Sequence, residues 1–345
     1  MEKVVINTSG VTSQILVGKS WETVDEMLPG SGTIIITDEN VFDIYGNKFP
    51  RLPVLKIKPG EESKRLEVIE RLAGQLLETG TDRTGFLLAI GGGVVCDVAG
   101  FLASVYMRGI RFGYVSSSLL SQVDASTGGK NAVNLGETKN VIGTFSQPDF
   151  VICDTKMLLT LPDMEYLSGL AELIKTGIIG DRSIFEITEQ NITAIINRES
   201  GLLSDLVTRS VRFKAKVVSE DEKESGLRRI LNFGHTLGHA VEMHGSLKHG
   251  FAVAQGMKFA ADFSVEKGFI GKDERDRIIG LLQRFSLLGG KPVPAERVEQ
   301  YMLHDKKRSG SDIHFIFIEE IGKALIRKLP ILEVIEFYRH NTTGK

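Results

Sequence analysis

The first 160 residues alternate short apolar runs with amphipathic stretches. VVINTS reads as a short strand. GTIIITDEN is a β-branched run ending in a polar turn, with Asp38 and Asn40 at the strand's carboxyl end. LPVLKIKPG is a further strand, closed by Pro59 and Gly60. EESKRLEVIERLAGQLLETG places Leu66, Ile69, Leu72, Leu76 and Leu77 on one side at helical spacing, and Gly80 marks its stop. GFLLAI is apolar throughout, as expected of a strand covered on both faces in a parallel sheet. Gly91-Gly92-Gly93 follows it and leads to a helix predicted to begin near Asp97. This order, with Gly-rich turns after strands, predicts an open, doubly wound Rossmann-like α/β domain.

The texture changes near Thr160-Leu161-Pro162-Asp163. Beyond it, MEYLSGLAELIKTGII, SDLVTRSVRFKAKVVSEDE, FGHTLGHAVEMH, AVAQGMKFAADFSVEKG and RDRIIGLLQRFSLLG carry helix-like apolar spacing. DIHFIFIEEIGKALIRKLP predicts a hairpin between helices. The expected division is an α/β nucleotide-binding domain over 1–160 and a mainly helical domain over 161–345.

Composition narrows the class. Of 345 residues, 42% are hydrophobic and 25% charged, and the net charge is −2. That profile is ordinary for a globular chain and gives no nucleic-acid surface. The two cysteines, Cys96 and Cys153, form neither a disulfide framework nor metal-type spacing. MEKVVINTSG does not read as a signal peptide, and no apolar run has the length of a membrane span. A cytoplasmic enzyme is the expectation, with a small-molecule substrate and neither nucleic acid nor membrane as partner.

The chemistry concentrates in a few segments. Gly91-Gly92-Gly93 before a helix would let a backbone approach a pyrophosphate, whose charge meets free N–H groups at the helix start. The spacing is GGGxxxD rather than GxGxxG, and a tight strand-to-helix turn is the plain alternative. VSSSLLSQVDASTGGKNAV, with Ser117, Ser118 and Lys130, reads as a second phosphate-contacting loop or as an ordinary surface loop. His235 and His239 are four apart and share a helix face. Either both bind metal, although Thr236 stands where HExxH has its Glu, or one binds metal and the other substrate, or the two are solvated or capping histidines. His249 sits at a helix start. His244, followed by Gly245, reads as a helix end. Glu172 lies among Leu170 and Ile174 on an apolar face, three residues before Lys175, and is a metal ligand or half of a simple ion pair. A carboxylate with two imidazoles is a common shell for catalytic zinc. Lys214, Arg228, Asn232, Lys306 and Arg108 are candidates for an anionic substrate, although FKAKVV and DKKRS also fit solvated helix faces.

Taken in order, GGGVVCDVAGFLASVYMRGI, SQVDASTGGKNAVN, KNVIGTFSQP, LSGLAELIKTGII, EKESGLRRILNFGHTLGHAVE, LKHGFAVAQGM and HDKKRSGSDIHFIFIEEIGKA resemble the 3-dehydroquinate synthase family of sugar phosphate cyclases, over about residues 36 to 325. LNFGHTLGHA with AELIKTG is the specific part; GGGxxxD is shared with metal-dependent polyol dehydrogenases. The resemblance implies NAD and a divalent metal, zinc or cobalt or another. It also implies conversion of 3-deoxy-D-arabino-heptulosonate 7-phosphate to 3-dehydroquinate and phosphate by oxidation, elimination, re-reduction and aldol closure. This is a step of the shikimate pathway toward chorismate and the aromatic amino acids.

The same resemblance assigns residues. Glu172, His235 and His249 would bind metal. Lys175, Asn232 and Glu224 would hold substrate hydroxyls and relay protons, and Lys214 and Arg228 would pair with the carboxylate. Lys130, Asn140, His239 and Lys306 would hold the phosphate, with Lys307 competing for the role of Lys306; Arg108 would join them from the neighbouring subunit of a homodimer. For NAD it points to Asp38, Asn40, Glu61, Lys64, Gly92, Gly93, Asp97, Ser117, Ser118, Asp124, Lys130, Lys139 and Thr160. Asp38 at a strand end suits a ribose hydroxyl and disfavours a 2′-phosphate, hence NAD over NADP. The chain departs from the family in carrying Ser116-Ser117-Ser118 for a usual Pro-Thr-Thr, GGKNAVN for GGKTGIN, NLGETKN for a loop that often holds His-Pro, and Cys96 for a common Gly. It keeps Asn232 and His239, where siblings that make inosose or valiolone rings tend to differ.

Overall fold

The computed structural model describes residues 1–345 except 9–10, 31, 137, 245–246, 291–292, 305–307, 310–311 and 343–345. Strands β1 (Glu2–Thr8), β2 (Val11–Val17), β3 (Thr33–Asp38), β4 (Val54–Ile57), β5 (Phe86–Gly91), β6 (Arg111–Ser116), β7 (Lys130–Leu135), β8 (Thr138–Phe145) and β9 (Phe150–Cys153) come first. Helices α1 (Glu39–Tyr45), α2 (Leu66–Glu78) and α3 (Gly93–Val105) lie between them. There follow α4 (Asp163–Ile179), α5 (Arg182–Gln190), α6 (Ile192–Ile196), α7 (Ser200–Glu220), α8 (His235–His244), α9 (His249–Glu266), α10 (Lys272–Arg284) and α11 (Ala295–His304). The chain closes with β10 (Arg308–Ser309), β11 (Asp312–Glu320), β12 (Lys323–Pro330) and α12 (Ile331–Thr342). Two compact units result: Met1–Pro162 with Ser200–Lys223, and Asp163–Glu199 with Glu224–Lys345.

The first unit is a doubly wound domain. Its main sheet has the order β1-β2-β9-β6-β5-β3-β4, parallel except for the β1–β2 hairpin. FLLAIG in β5 is buried at every position, which is why it has no polar alternation and lies inside the sheet. Trp21, Ile35, Phe86, Leu88, Ile90, Val115, Phe150 and Ile152 form one core cluster. From β3 the chain goes outward to β4, then returns to the other side of β3 as β5. That reversal opens a crevice at the carboxyl ends of β3 and β5, where ligands of such sheets bind.

Helix α3 begins at Gly93, four residues before the predicted start at Asp97. Cys96 N–H donates to Gly92 O at 3.1 Å, so Val94, Val95 and Cys96 already form the first turn. Helix α7 returns to this unit and packs on β1 and β2. Its Ser210 hydroxyl donates to Val123 O at 3.3 Å.

In the second unit α4 is buried from Tyr166 to Ile179 except at Leu167. Helix α9 lies against α4, α8 and β11. Its outer end joins an aromatic cluster: Phe263 stacks on Phe337 at 4.4 Å between ring centroids and meets Phe317 at 5.2 Å. The predicted hairpin is β11–β12, between α11 and α12. Two glycines set the close approach of α4, α8 and α9. A Cβ on Gly250 would lie 2.1 Å from Ser168 O, and one on Gly256 would lie 1.7 Å from Gly234 O. Both neighbours are backbone, so neither helix could yield without moving whole.

Candidate active site

In the second unit, three residues from three helices converge. Glu172 lies mid-way along α4, His235 opens α8 and His249 opens α9. One ligand atom from each lies within 4.8 Å of the others, and the helices that carry them are those the glycines bring together. Gly250 N–H donates to Ser168 Oγ at 2.9 Å, which anchors α9 one turn from Glu172. His249 Nε2 is 3.2 Å and His235 Nε2 is 3.6 Å from the same oxygen, Glu172 Oε1. The other carboxylate oxygen pairs with Lys175.

The triad's electrostatics follow from burial. Glu172 is 1% exposed and Lys175 is 2% exposed. Burial works to raise the Glu172 pKa, but the Lys175 ammonium and the His249 bond outweigh it and pull it down to about 2. Burial works against charge on His249, and the facing carboxylates of Glu172 and Glu242 override it and push its pKa up. A carboxylate kept ionised, with two imidazole nitrogens aimed at one point, is a donor set that fits a divalent cation with room for a further ligand. His239 lies close by, its ring centroid 5.1 Å from that of His235 and 6.3 Å from that of His249, but the ligand atoms that converge are those of Glu172, His235 and His249. Of the readings of the His pair, the geometry favours the one in which His239 serves another role.

Beside the triad, Asn232 donates to Glu224 Oε1, and Arg228 is a fully enclosed guanidinium at 2% exposure. Sequence reasoning passed over Glu242, which lies 3.1 Å from His249 Nδ1. The signal was its place seven residues after His235 in a helix, hence on nearly the same stripe.

The first unit gathers a separate polar cluster. Lys64 Nζ donates to Asp97 Oδ2 at 2.6 Å and to Asn140 Oδ1, and lies 3.6 Å from Glu61. Asn134, which was not anticipated, ties the β7–β8 hairpin to this group by donating to Glu61 Oε1 at 3.0 Å. Burial works to lower the Lys64 pKa, and Asp97 and Glu61 override it, so it rises. Asn140, expected at a phosphate, therefore stands with residues expected at NAD.

Asp38 ends β3 and caps α1, accepting from Val41 N–H at 3.0 Å. Asn40 lies exposed in α1, and Thr160 shares a 2.6 Å hydroxyl bond with Tyr45. Gly92 and Gly93 open α3, whose first N–H groups have no helical acceptor. Of the three glycines, Gly91 is the one sterically required, since its Cβ would sit 2.5 Å from Val95. Gly92 faces the Ser118 hydroxyl, and Ser117 N–H donates to Gly91 O at 2.9 Å. The Ser117 segment is therefore folded against the Gly turn instead of forming an ordinary surface loop.

Lys214 of α7 donates to Asp124 O at 2.7 Å and pairs with its carboxylate. Lys130 and Lys139 are exposed on the β7–β8 hairpin, and Arg108 is exposed in a turn. Lys306 and its competitor Lys307 lie outside the described residues. Arg108 (φ 72°), Asn140 (φ 52°) and Glu224 (φ 60°) are three of the six described non-glycine residues with positive φ. Such strain is tolerated where the surroundings over-determine it, often at functional sites.

The first unit is a doubly wound domain with a glycine turn after β5, and the second is a helical unit whose Glu172, His235 and His249 form a donor set that could hold a metal ion; fold and site together define a two-unit α/β protein of metal-enzyme type. Residues 54–168 match the family described as 3-dehydroquinate synthase N-terminal, and residues 169–308 match 3-dehydroquinate synthase C-terminal. The chain is 42% identical over 312 residues to the 3-dehydroquinate synthase of Dictyoglomus thermophilum, covering 89% of this chain and 88% of that one. It is 38% identical to that of Dehalococcoides mccartyi strain CBDB1, over 97% and 99% of the two chains. Among solved structures, 2-deoxy-scyllo-inosose synthase complexed with carbaglucose-6-phosphate, NAD+ and Co2+ is similar with a TM-score of 0.85 and 25% identity, covering 98% of this chain and 100% of that one. The chain belongs to the 3-dehydroquinate synthase family.

Proposed function

We propose that this chain catalyses the family's reaction with the residues described above. The substrate is 3-deoxy-D-arabino-heptulosonate 7-phosphate and the products are 3-dehydroquinate and phosphate. The carrying observation is the convergence of Glu172, His235 and His249 on one point. When bound, NAD+ accepts and returns the hydride, and the divalent cation polarises the hydroxyl being oxidised.

The protein's own share is holding and proton handling. Glu172, His235 and His249 hold the cation. Lys175 keeps Glu172 ionised at that position. Asn232 and Glu224, already joined, orient substrate hydroxyls and move protons. The guanidinium fork of Arg228, with Lys214, suits the carboxylate. Lys130, Asn140 and His239, with Lys306, serve the phosphate. The first unit is the NAD-binding unit and the second the metal-binding one. Asp38 at the end of β3 would meet a ribose hydroxyl, and Asn40, Thr160, Lys139 and Asp124 of the same unit would add to the cofactor's contacts. The cluster of Glu61, Lys64 and Asp97 and the turn of Gly92, Gly93, Ser117 and Ser118 complete the cofactor's surroundings.

A homodimer is part of the reading: exposed Arg108, held in a left-handed turn, would act at a neighbouring subunit's site. So is a cytoplasmic setting, supported by two buried free thiols and by the NAD chemistry. Among the described residues no helix is long and apolar enough to cross a membrane.

The test is phosphate release from 3-deoxy-D-arabino-heptulosonate 7-phosphate by purified protein with NAD+ and zinc, followed together with NADH absorbance. Release with no lasting NADH is expected. Release only from hexose or other heptulose phosphates would assign a sibling cyclase activity, and stoichiometric NADH would assign a dehydrogenase.

A further inference from the structure

The two imidazoles of the triad are held by different means. His235 Nδ1 lies 3.1 Å from the Phe233 carbonyl, an acceptor that belongs to the backbone. His249 Nδ1 lies 3.1 Å from Glu242 Oε2, an acceptor supplied by a side chain of α8. The difference matters because the rings are not equally confined. His235 is buried, whereas the His249 side chain is 29% exposed on the first residue of its helix.

A neutral imidazole binds a cation through one nitrogen and carries its proton on the other. An acceptor on Nδ1 selects the tautomer whose Nε2 lone pair is free. For His249 that nitrogen faces Glu172 Oε1 at 3.2 Å. We propose that Glu242 is a positioning residue for the divalent cation. It fixes the tautomer and ring plane of His249 and makes Nε2 a better donor. Glu242 itself is 15% exposed, enough removed from water to make the bond directional. The inference rests on the metal reading of Glu172, His235 and His249.

The experiment uses the full chain, stripped with a chelator and then titrated with Zn2+ alone against a chromophoric competitor. Co2+ is added in parallel for its absorption spectrum. Glu242→Ala is expected to lose about 10–100-fold in Zn2+ affinity and to shift the Co2+ bands. Glu242→Gln, whose amide oxygen still accepts from Nδ1–H, is expected to recover most of that loss. Metal-free melting temperatures are measured in parallel, so that loss of the Glu242–His249 contact in the metal-free chain is separated from loss of Zn2+ affinity. Glu242→Leu keeps the volume without the acceptor and replaces the alanine variant if that chain does not fold.

Parent-like Zn2+ affinity in the variants lacking the acceptor overturns the proposal. So does an equal loss in the Gln variant matched by an equal fall in metal-free melting temperature, because that would make Glu242 a structural ion-pair partner. His235→Ala separates the two levels of the argument. If it too binds Zn2+ like the parent, the triad is not the metal site and the role of Glu242 falls with it. If it loses Zn2+ while the acceptor-free variants do not, only the role of Glu242 is refuted.

Discussion

In the first unit a buried ammonium, Lys64, is surrounded by Asp97, Asn140 and Glu61. In the second a buried carboxylate, Glu172, holds one ammonium and faces two imidazoles. Both clusters use ion pairs to keep charge out of water. They differ in what is left over. Around Lys64 the cation is met by protein anions and amides, so the group forms a closed scaffold tying a hairpin, a turn and α3 together. Around Glu172 the ammonium occupies one carboxylate oxygen, and the other points where two imidazole nitrogens also point. That is a donor set whose geometry fits a divalent cation. The same physics of buried charge yields a brace in one unit and a coordination site in the other.

The largest expected effect comes from taking a donor out of the second cluster. His235→Ala should abolish stoichiometric zinc and lower phosphate release by roughly 10³-fold, the scale of several kcal/mol of Lewis-acid stabilisation. NAD affinity, measured by fluorescence titration, should stay within about twofold, because His235 is not among the residues proposed to hold NAD. A parallel fall in NAD affinity would break the separation between the clusters.

Next come the two lysines, compared by urea unfolding. Lys175→Met leaves the buried Glu172 without its ammonium, and Lys64→Met leaves the half-buried Asp97 without its own. Each should cost about 3 kcal/mol in the metal-free chain. Zinc should restore part of the loss in Lys175→Met, because a dication at the triad replaces the missing charge, and none in Lys64→Met. An equal response to zinc in both would erase the distinction between brace and site.

The smallest effect sharpens the first unit alone. Burial pushes the Cys153 thiol from its ordinary 9.0 up to about 12. The folded chain therefore keeps a proton that the unfolded chain loses, so stability falls as pH rises from about 9 toward 12. Cys153→Val should flatten that alkaline slope in a pH series of urea midpoints, whereas the second unit has no cysteine to contribute. An unchanged slope would count against the burial argument.

Much of this was legible along the chain. FLLAIGGG announced a covered strand and its turn because a strand buried on both faces can carry no polar alternation. The apolar spacing beyond residue 160 announced helices, and the family resemblance singled out Glu172, His235 and His249 as one donor set, whose ligand atoms the fold brings within 4.8 Å of one another. Less legible were the strands β2, β6, β7, β8 and β9 and the start of α3 at Gly93. Their apolar runs are short, and pairing partners far away in sequence decide them.

The sequence by itself determined the alternation of elements, the chemical identity of the triad and the family. Only the tertiary structure decided that α7, far along the chain, belongs with the first unit through Ser210 and Lys214. It also decided that Lys214 rests on Asp124, that Asn140 stands with Lys64 and that Glu242 backs His249. Periodicity reports which face of an element is apolar, but which distant face it meets depends on shape. Here the shape is set where Gly250 and Gly256 let one backbone touch another.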